Sequence, residues 1–223
     1  MNDLKIRCSA LGKIMTNSRS KTETLSKTCK TYLQELAVEE LYGKRKEFNS
    51  RYTDKGNQVE DDAIKLAESV LDLGFMIKNE EHFENDYLTG TPDVNTDIVL
   101  DVKSSWDATT FPFFAEEIPN REYYFQLQGY LALTNKTKAY LCYCLVNTPE
   151  LMVEDEVRRA HWKEHLIDES DELREHVEAQ HNFDNIPAEK RIKTFVIERH
   201  EQVIKDIYDR IEDCRKYYAT LIS

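Results

Sequence analysis

Between residues 75 and 103 the chain changes character. Short apolar, β-rich runs at 75–77, 87–88 and 98–102 are separated by Asn, Asp and Gly-Thr-Pro turns. Within this stretch Gly90-Thr91-Pro92-Asp93 makes a turn, and after a brief apolar run comes Asp101-Val102-Lys103. Successive side chains of a strand point to opposite faces, so Asp101 and Lys103 share one face while Val102 faces the other way, into a core. The flanking segments are helical, which restricts the fold further. Strands separated by long helices tend to pair in parallel, whereas the closely spaced strands of 75–103 pair antiparallel. The chain is therefore expected to be α/β, with a central mixed sheet flanked by helices.

The rest of the pattern fits that architecture. A short helix is expected with Ser9 as N-cap, and a longer one over about 26–42, stopped by Gly43. From about 52 to 73, Val59, Ala63, Leu66, Ala67, Val70 and Leu71 repeat at helical spacing before Gly74. A helix over 121–133, a buried strand at 139–146, a charged helical stretch near 154–179 and a strand at 193–197 follow. The last helix starts near Glu201 and carries Val203, Ile204, Ile207, Tyr208, Ile211 and Cys214 along one stripe. With no repeat and no low-complexity linker, the 223 residues are expected to form a single domain, 1–223.

Bulk properties narrow the setting. The longest apolar run, Ala139 to Val146, is far shorter than a membrane span, and the Met1-Asn2-Asp3 start lacks the basic and apolar regions of a signal peptide. A cytoplasmic protein away from membranes is expected. Five scattered cysteines read as reduced thiols, and Cys142 and Cys144, with no second pair at ligand spacing, as packing residues. The net charge of −12 opposes a nucleic-acid partner. It is reconciled with one by local basic concentration, as in Lys5, Arg7, Lys13, Arg19, Lys21, Lys27 and Lys30 and the run Lys44-Arg45-Lys46.

Asp93, Asp101 and Lys103 are the parts that phosphodiester cleavage requires: hard carboxylates for an oxygen-ligated divalent ion, and an ammonium to orient water or stabilise negative charge. The backbone carbonyl of Val102 is a further candidate ligand. Taken alone, the same residues also fit a turn after Pro92 and a charge pair on an edge strand. Glu60 borders an apolar stripe, from which it reaches the sheet or complements the helix dipole. Gln126 and Tyr130 lie one helical turn apart, facing either DNA or the sheet. Trp106, Phe111, Phe113 and Phe114 make an aromatic loop, either a wedge that stacks on terminal bases or a buried apolar cluster.

These segments together resemble the PD-(D/E)xK nuclease superfamily, and within it the phage lambda exonuclease and YqaJ-like viral recombinase family, with its restriction-endonuclease-like core. Lys55-Gly-Asn-Gln-Val-Glu60 is similar to the family's Gly-x-x-x-Glu helix. Thr91-Pro-Asp93 and Asp101-Val-Lys103 match its central motif, with Asp101 where lambda exonuclease has Glu. Tyr124-Phe-Gln126-Leu-Gln128-Gly-Tyr130 resembles its Gln-x-Gln helix, and Phe195 to Arg199 with the helix that follows resembles its C-terminal strand and helix. Arg7-Cys-Ser9 resembles its N-terminal serine segment, although the family's Arg lies further upstream of the Ser.

The resemblance implies a 5′ to 3′ exonuclease that leaves 3′ single strands on linear duplex DNA for recombination, with Mg2+ as cofactor and Mn2+ as a substitute. It implies catalytic roles for Glu60, Asp93, Asp101, Lys103 and Gln126, with metal held by Asp93, Asp101, Glu60 and the Val102 carbonyl. DNA contacts are implied for Arg7, Ser9, Thr91, Ser104, Gln126, Gln128 and Tyr130. It also implies a homotrimeric ring and a single-strand annealing protein as partner. Alternatives are a restriction-type or repair endonuclease and a non-catalytic DNA-binding scaffold. His161-Trp-Lys-Glu-His165 fits an inverted zinc-protease pattern, but its charged surroundings favour a solvated helix.

Overall fold

The computed structural model describes residues 4–45, 50–166, 168 and 170–223. Lys46 of the expected basic run and the Met1-Asn2-Asp3 start lie outside the described residues. In chain order, β1 (Ile6–Arg7) leads through a 3-10 turn, Cys8–Ala10, into α1 (Leu11–Ile14). Next come α2 (Lys27–Tyr42), α3 (Arg51–Gln58), α4 (Glu60–Val70), β2 (Phe83–Glu84), β3 (Leu88–Gly90), β4 (Val94–Asn95) and β5 (Val99–Ser104). The chain continues through α5 (Arg121–Thr134), β6 (Lys138–Cys144), α6 (Glu150–Lys163), α7 (Asp171–His181), β7 (Ile192–Glu198) and α8 (Glu201–Ile222).

The main sheet is mixed, as expected, in the order β4-β5-β6-β7. β5 and β6 are parallel, joined by α5, and β4 and β7 lie antiparallel at the two edges. β5 is therefore an internal strand, which removes the reading of Asp101 and Lys103 as an edge pair. A second small sheet, β1-β3-β2, was not expected as a separate unit. In it Arg7 stands opposite Thr89.

Alternation along the strands builds two cores. Val99, Leu141, Phe195 and Ile197 pack on one face with Phe125, Leu127 and Leu131 of α5 and with Ile207 and Ile211 of α8. Leu100, Val102, Cys142, Cys144 and Ile192 pack on the other with Ala63, Ile64 and Ala67 of α4. All five cysteines are free and buried, in keeping with packing thiols. Among the described residues no helix is long and apolar enough to cross a membrane.

Several expectations need correction. The helix expected over 52–73 is two helices, because Val59 leaves helical geometry at φ −108°, ψ 13° and turns its side chain into the core. The acidic run Glu60-Asp61-Asp62 then forms the first turn of α4, where the helix dipole favours negative charge. Residues 75–77 form no strand: Phe75 and Ile77 are exposed, and only an isolated bridge from Lys78 to Val94 marks the segment. The stretch near 154–179 is also two helices, the break including His165 at φ 56°. Ser9 caps nothing, since it lies inside the 3-10 turn. Ser26, whose hydroxyl accepts from the Cys29 N–H, and the left-handed Gly43 bound α2 as expected.

Candidate active site

The β5 strand brings Asp101 and Lys103 to the face covered by α5, as alternation requires. Asp101 is 1% exposed. Its Oδ1 accepts a hydrogen bond from Gln126 Nε2 at 3.0 Å, and its Oδ2 pairs with Lys103 Nζ. Gln126 Nε2 also donates to Tyr130 Oη at 3.0 Å. Lys103 Nζ lies 3.4 Å from the Val102 carbonyl and 4.9 Å from the centre of the Tyr123 ring. Burial opposes the charge on Lys103, but Asp101 and Asp93 outweigh it and raise its pKa.

Asp93 reaches the same place from the turn between β3 and β4. Its Oδ2 accepts the Val102 N–H at 2.7 Å. Burial, joined by the charge of Asp101, pushes its carboxyl up to about 8. The turn can approach this closely because Gly90 has no side chain: a Cβ there would come within 2.7 Å of the Tyr130 ring and 3.1 Å of Cys8 Sγ.

These residues open into a cleft of about 720 Å3, walled on one side by Tyr52, Thr53, Gly56, Asn57 and Glu60 and on the other by Ser104, Ser105 and Trp106. Glu60 lines the cleft, and its Oε1 is 3.3 Å from Lys78 Nζ, which also pairs with Asp61. Among the described residues no three His, Cys, Asp or Glu side chains already form a metal-sized cluster. The donor chemistry nevertheless fits a hard divalent cation, since the buried Asp101 and the half-buried Asp93 share one site, and burial together with the charge of Asp101 drives Asp93 towards its neutral form. Ser104 Oγ is buried in the structure without a hydrogen-bond partner among the described residues and borders the cleft.

Beside the cleft, a smaller pocket of about 220 Å3 is lined by Arg7, Ser9, His82, Thr91 and Tyr130, with Ser9 bordering both cavities. Thr91 Oγ1 lies 3.1 Å from His82 Nδ1. The sequence reading missed His82, for nothing in the spacing of 75–90 signals it. It also missed Tyr123 and Tyr143, which line the cleft around Lys103. Tyr123 lies three residues before Gln126 on α5, and Tyr143 is the register partner of Lys103, so helical and strand spacing carry a signal for both.

One implied DNA contact is corrected. Gln128 has no solvent exposure; its Nε2 donates to the Glu198 carbonyl and its Oε1 accepts the His200 N–H, so it fastens α5 to the β7–α8 junction. Tyr130 lines the smaller pocket with 5% exposure, and its hydroxyl accepts from Gln126 Nε2. The basic N-terminal segment is less free than expected, because Lys5 pairs with Glu84, Lys30 with Glu23 and Arg45 with Glu39. In the aromatic loop Trp106 is buried, whereas Phe113 and Phe114 are exposed and pack edge to face. His161 is buried rather than solvated: Nδ1–H donates to the Val157 carbonyl and Nε2 accepts the Ser170 N–H, so neither nitrogen faces a metal.

No protein-family model and no curated protein matches the chain. Among solved structures, a phage related exonuclease from Haemophilus somnus 129PT superposes with a TM-score of 0.79 at 31% identity, over 98% of this chain and 95% of that one. An alkaline exonuclease from Laribacter hongkongensis superposes at 0.65 with 16% identity, over 98% of this chain and 89% of that one. The same protein in complex with dAMP superposes at 0.64. Fold and relatives define a nuclease. The chain belongs to the phage-related, lambda-exonuclease-like family.

Proposed function

We propose that this protein is a Mg2+-dependent exonuclease that degrades one strand of linear duplex DNA from 5′ to 3′ and leaves a 3′ single strand for phage-type recombination in the cytoplasm. The observation that carries the reading is the convergence of Asp93, Asp101, Lys103 and Gln126 in one cleft of a chain 31% identical to a phage related exonuclease. Asp93, Asp101 and the Val102 carbonyl would hold Mg2+ or Mn2+, with Glu60 completing the donor set. Bound there, the ion would supply an activated water and neutralise charge developing at the phosphorus.

The protein's own residues account for the rest. Lys103, kept protonated by the acid pair, stands to orient the attacking water and to stabilise negative charge on the phosphate. Gln126 fixes the carboxylate of Asp101 and is itself fixed by Tyr130, which holds the site in one geometry before substrate arrives. Ser104, whose residue borders the cleft and whose hydroxyl lacks a partner among the described residues, would contact a phosphate oxygen of the bound strand after a change of rotamer. Arg7, Ser9 and Thr91, in the smaller pocket next to the acids, suit a terminal 5′-phosphate, which would set the polarity. A homotrimeric ring would surround the duplex, reconciling an acidic exterior with a locally basic channel, and a single-strand annealing protein would receive the product.

The test is digestion of linear 5′-phosphorylated duplex and closed circular DNA by wild type and Lys103→Ala, with Mg2+ or chelator. Digestion of the linear substrate alone, dependent on Mg2+ and at least 100-fold slower in Lys103→Ala, is expected. Undiminished digestion by Lys103→Ala would sink the mechanism. Cleavage of the circle would indicate an endonuclease, and binding without turnover a scaffold.

A further inference from the structure

Among the described residues, the largest side chain without solvent exposure belongs to a charged residue, Lys55 on α3. Its bonding partners are two main-chain carbonyls rather than a carboxylate: Nζ donates to Ser105 at 2.8 Å and to Trp106 at 2.9 Å. Two rings flank it, with Nζ 5.9 Å from the centre of Trp106 and 5.4 Å from that of Phe183, and the Asp107 carboxylate lies near enough to favour its charge. An ammonium withdrawn from water costs the fold heavily unless hydrogen bonds and polarisable faces replace its hydration. An apolar side chain of this size would fill the same space without that cost, so the bonds themselves are what the amine adds.

The position of these bonds gives them a use. Lys55 precedes Gly56, and α3 supplies Tyr52, Thr53, Gly56 and Asn57 to one wall of the cleft. Ser105 and Trp106 follow Lys103 and Ser104 off the end of β5 and form the facing wall. The amine ties the two walls together from behind. Trp106 is held from other sides as well, with the Arg51 guanidinium 4.9 Å from its ring and Tyr52 in edge contact at 5.5 Å. Arg51 in turn pairs with Glu156 of α6 at 2.9 Å.

We infer that Lys55 is a positioning residue that sets the separation of the two cleft walls, and thereby how tightly the end of a DNA duplex is held. The inference rests on the DNA-binding reading of the cleft. Lys55 itself touches no substrate and acts through the main chain of Ser105 and Trp106.

Lys55→Met keeps the volume and removes both donors; Lys55→Arg keeps donors and charge. Binding of a fluorescent 5′-phosphorylated linear duplex is measured by anisotropy with Ca2+ in place of Mg2+, and turnover is measured separately with Mg2+. Lys55→Met is expected to bind at least tenfold more weakly, to raise KM by a similar factor and to change kcat less than threefold. Lys55→Arg is expected to stay within threefold of wild type. Should Lys55→Met lack a cooperative melt, Lys55→Gln replaces it in the same comparison.

A Kd and KM within twofold of wild type, or a fall in kcat at unchanged KM, overturns the inference. A wild type that binds duplex without degrading it defeats the nuclease reading and leaves the wall-spacing role to be judged on Kd. One that does not bind duplex at all overturns both.

Discussion

Replacing Asp93 with Asn should make the metal-free protein more stable while removing its ability to use the metal. In the folded chain burial and the neighbouring Asp101 push the Asp93 carboxyl from its usual 3.8 to about 8. A folded pKa above the unfolded one means that the native state holds the proton more tightly. The stability this provides is complete below about 3.8 and is lost as pH rises towards 8. Over the roughly three pH units from 3.8 to 7, at about 1.4 kcal/mol per unit, the loss reaches about 4 kcal/mol.

Asn escapes this loss, and its carbonyl oxygen can still accept the Val102 N–H that Asp93 accepts at 2.7 Å. At pH 7 a carboxyl titrating near 8 is itself mostly neutral, so the exchange changes that bond little. The net gain for Asp93→Asn is then about 4 kcal/mol at pH 7, or roughly 8–16 °C in Tm for a chain of this length. Thermal melts in chelator at pH 5, 6, 7 and 8 should show the wild type falling with pH while the variant stays nearly level. Titration with Mg2+ should recover the wild type and leave the variant unmoved. A variant that melts at or below wild type in chelator at pH 7 and 8 would refute the raised pKa of Asp93 in the folded chain.

Further outcomes follow from the same contacts. Because Asp93 must give up its proton to ligate a cation, the Mg2+ concentration for half-maximal digestion should fall several-fold between pH 6.5 and 8.5; a pH-independent requirement would remove Asp93 from the donor set. Gln126→Leu leaves Asp101 Oδ1 and Tyr130 Oη without their shared donor, so kcat should fall roughly 10- to 100-fold with about 1–3 kcal/mol of stability. Gln128→Leu, two residues away, should lower Tm by a similar stability loss as it frees the Glu198 carbonyl and the His200 N–H, with kcat and duplex Kd unchanged. Enzyme assays and melts on the two variants separate these effects.

What could be read in advance depended on local regularities. Alternation along 99–104 placed Asp101 and Lys103 on one face and Val102 on the other, and that is how β5 sits between its two cores. The cap at Ser26, the stop at Gly43 and the stripe of the last helix were equally local. Errors arose where a residue's partner lies far along the chain. Residues 75–77 have strand composition but no neighbouring strand to pair with, and Val59 breaks a helix of good periodicity because the core draws its side chain inward.

The sequence by itself determined the α/β class, the nuclease motifs and the pairing of acid with lysine, since all of these rest on periodicity and on residue types within a few positions of one another. Only the tertiary structure decided that Asp93 is opposed by Asp101, that Glu60 is paired with Lys78, that Gln128 is a fastener and not a DNA contact, and that Lys55 ties the cleft walls together. Each of those depends on burial and on a partner brought close by folding. Burial and proximity set the sign and strength of a charge's interactions, and neither is encoded in the spacing of residues along the chain.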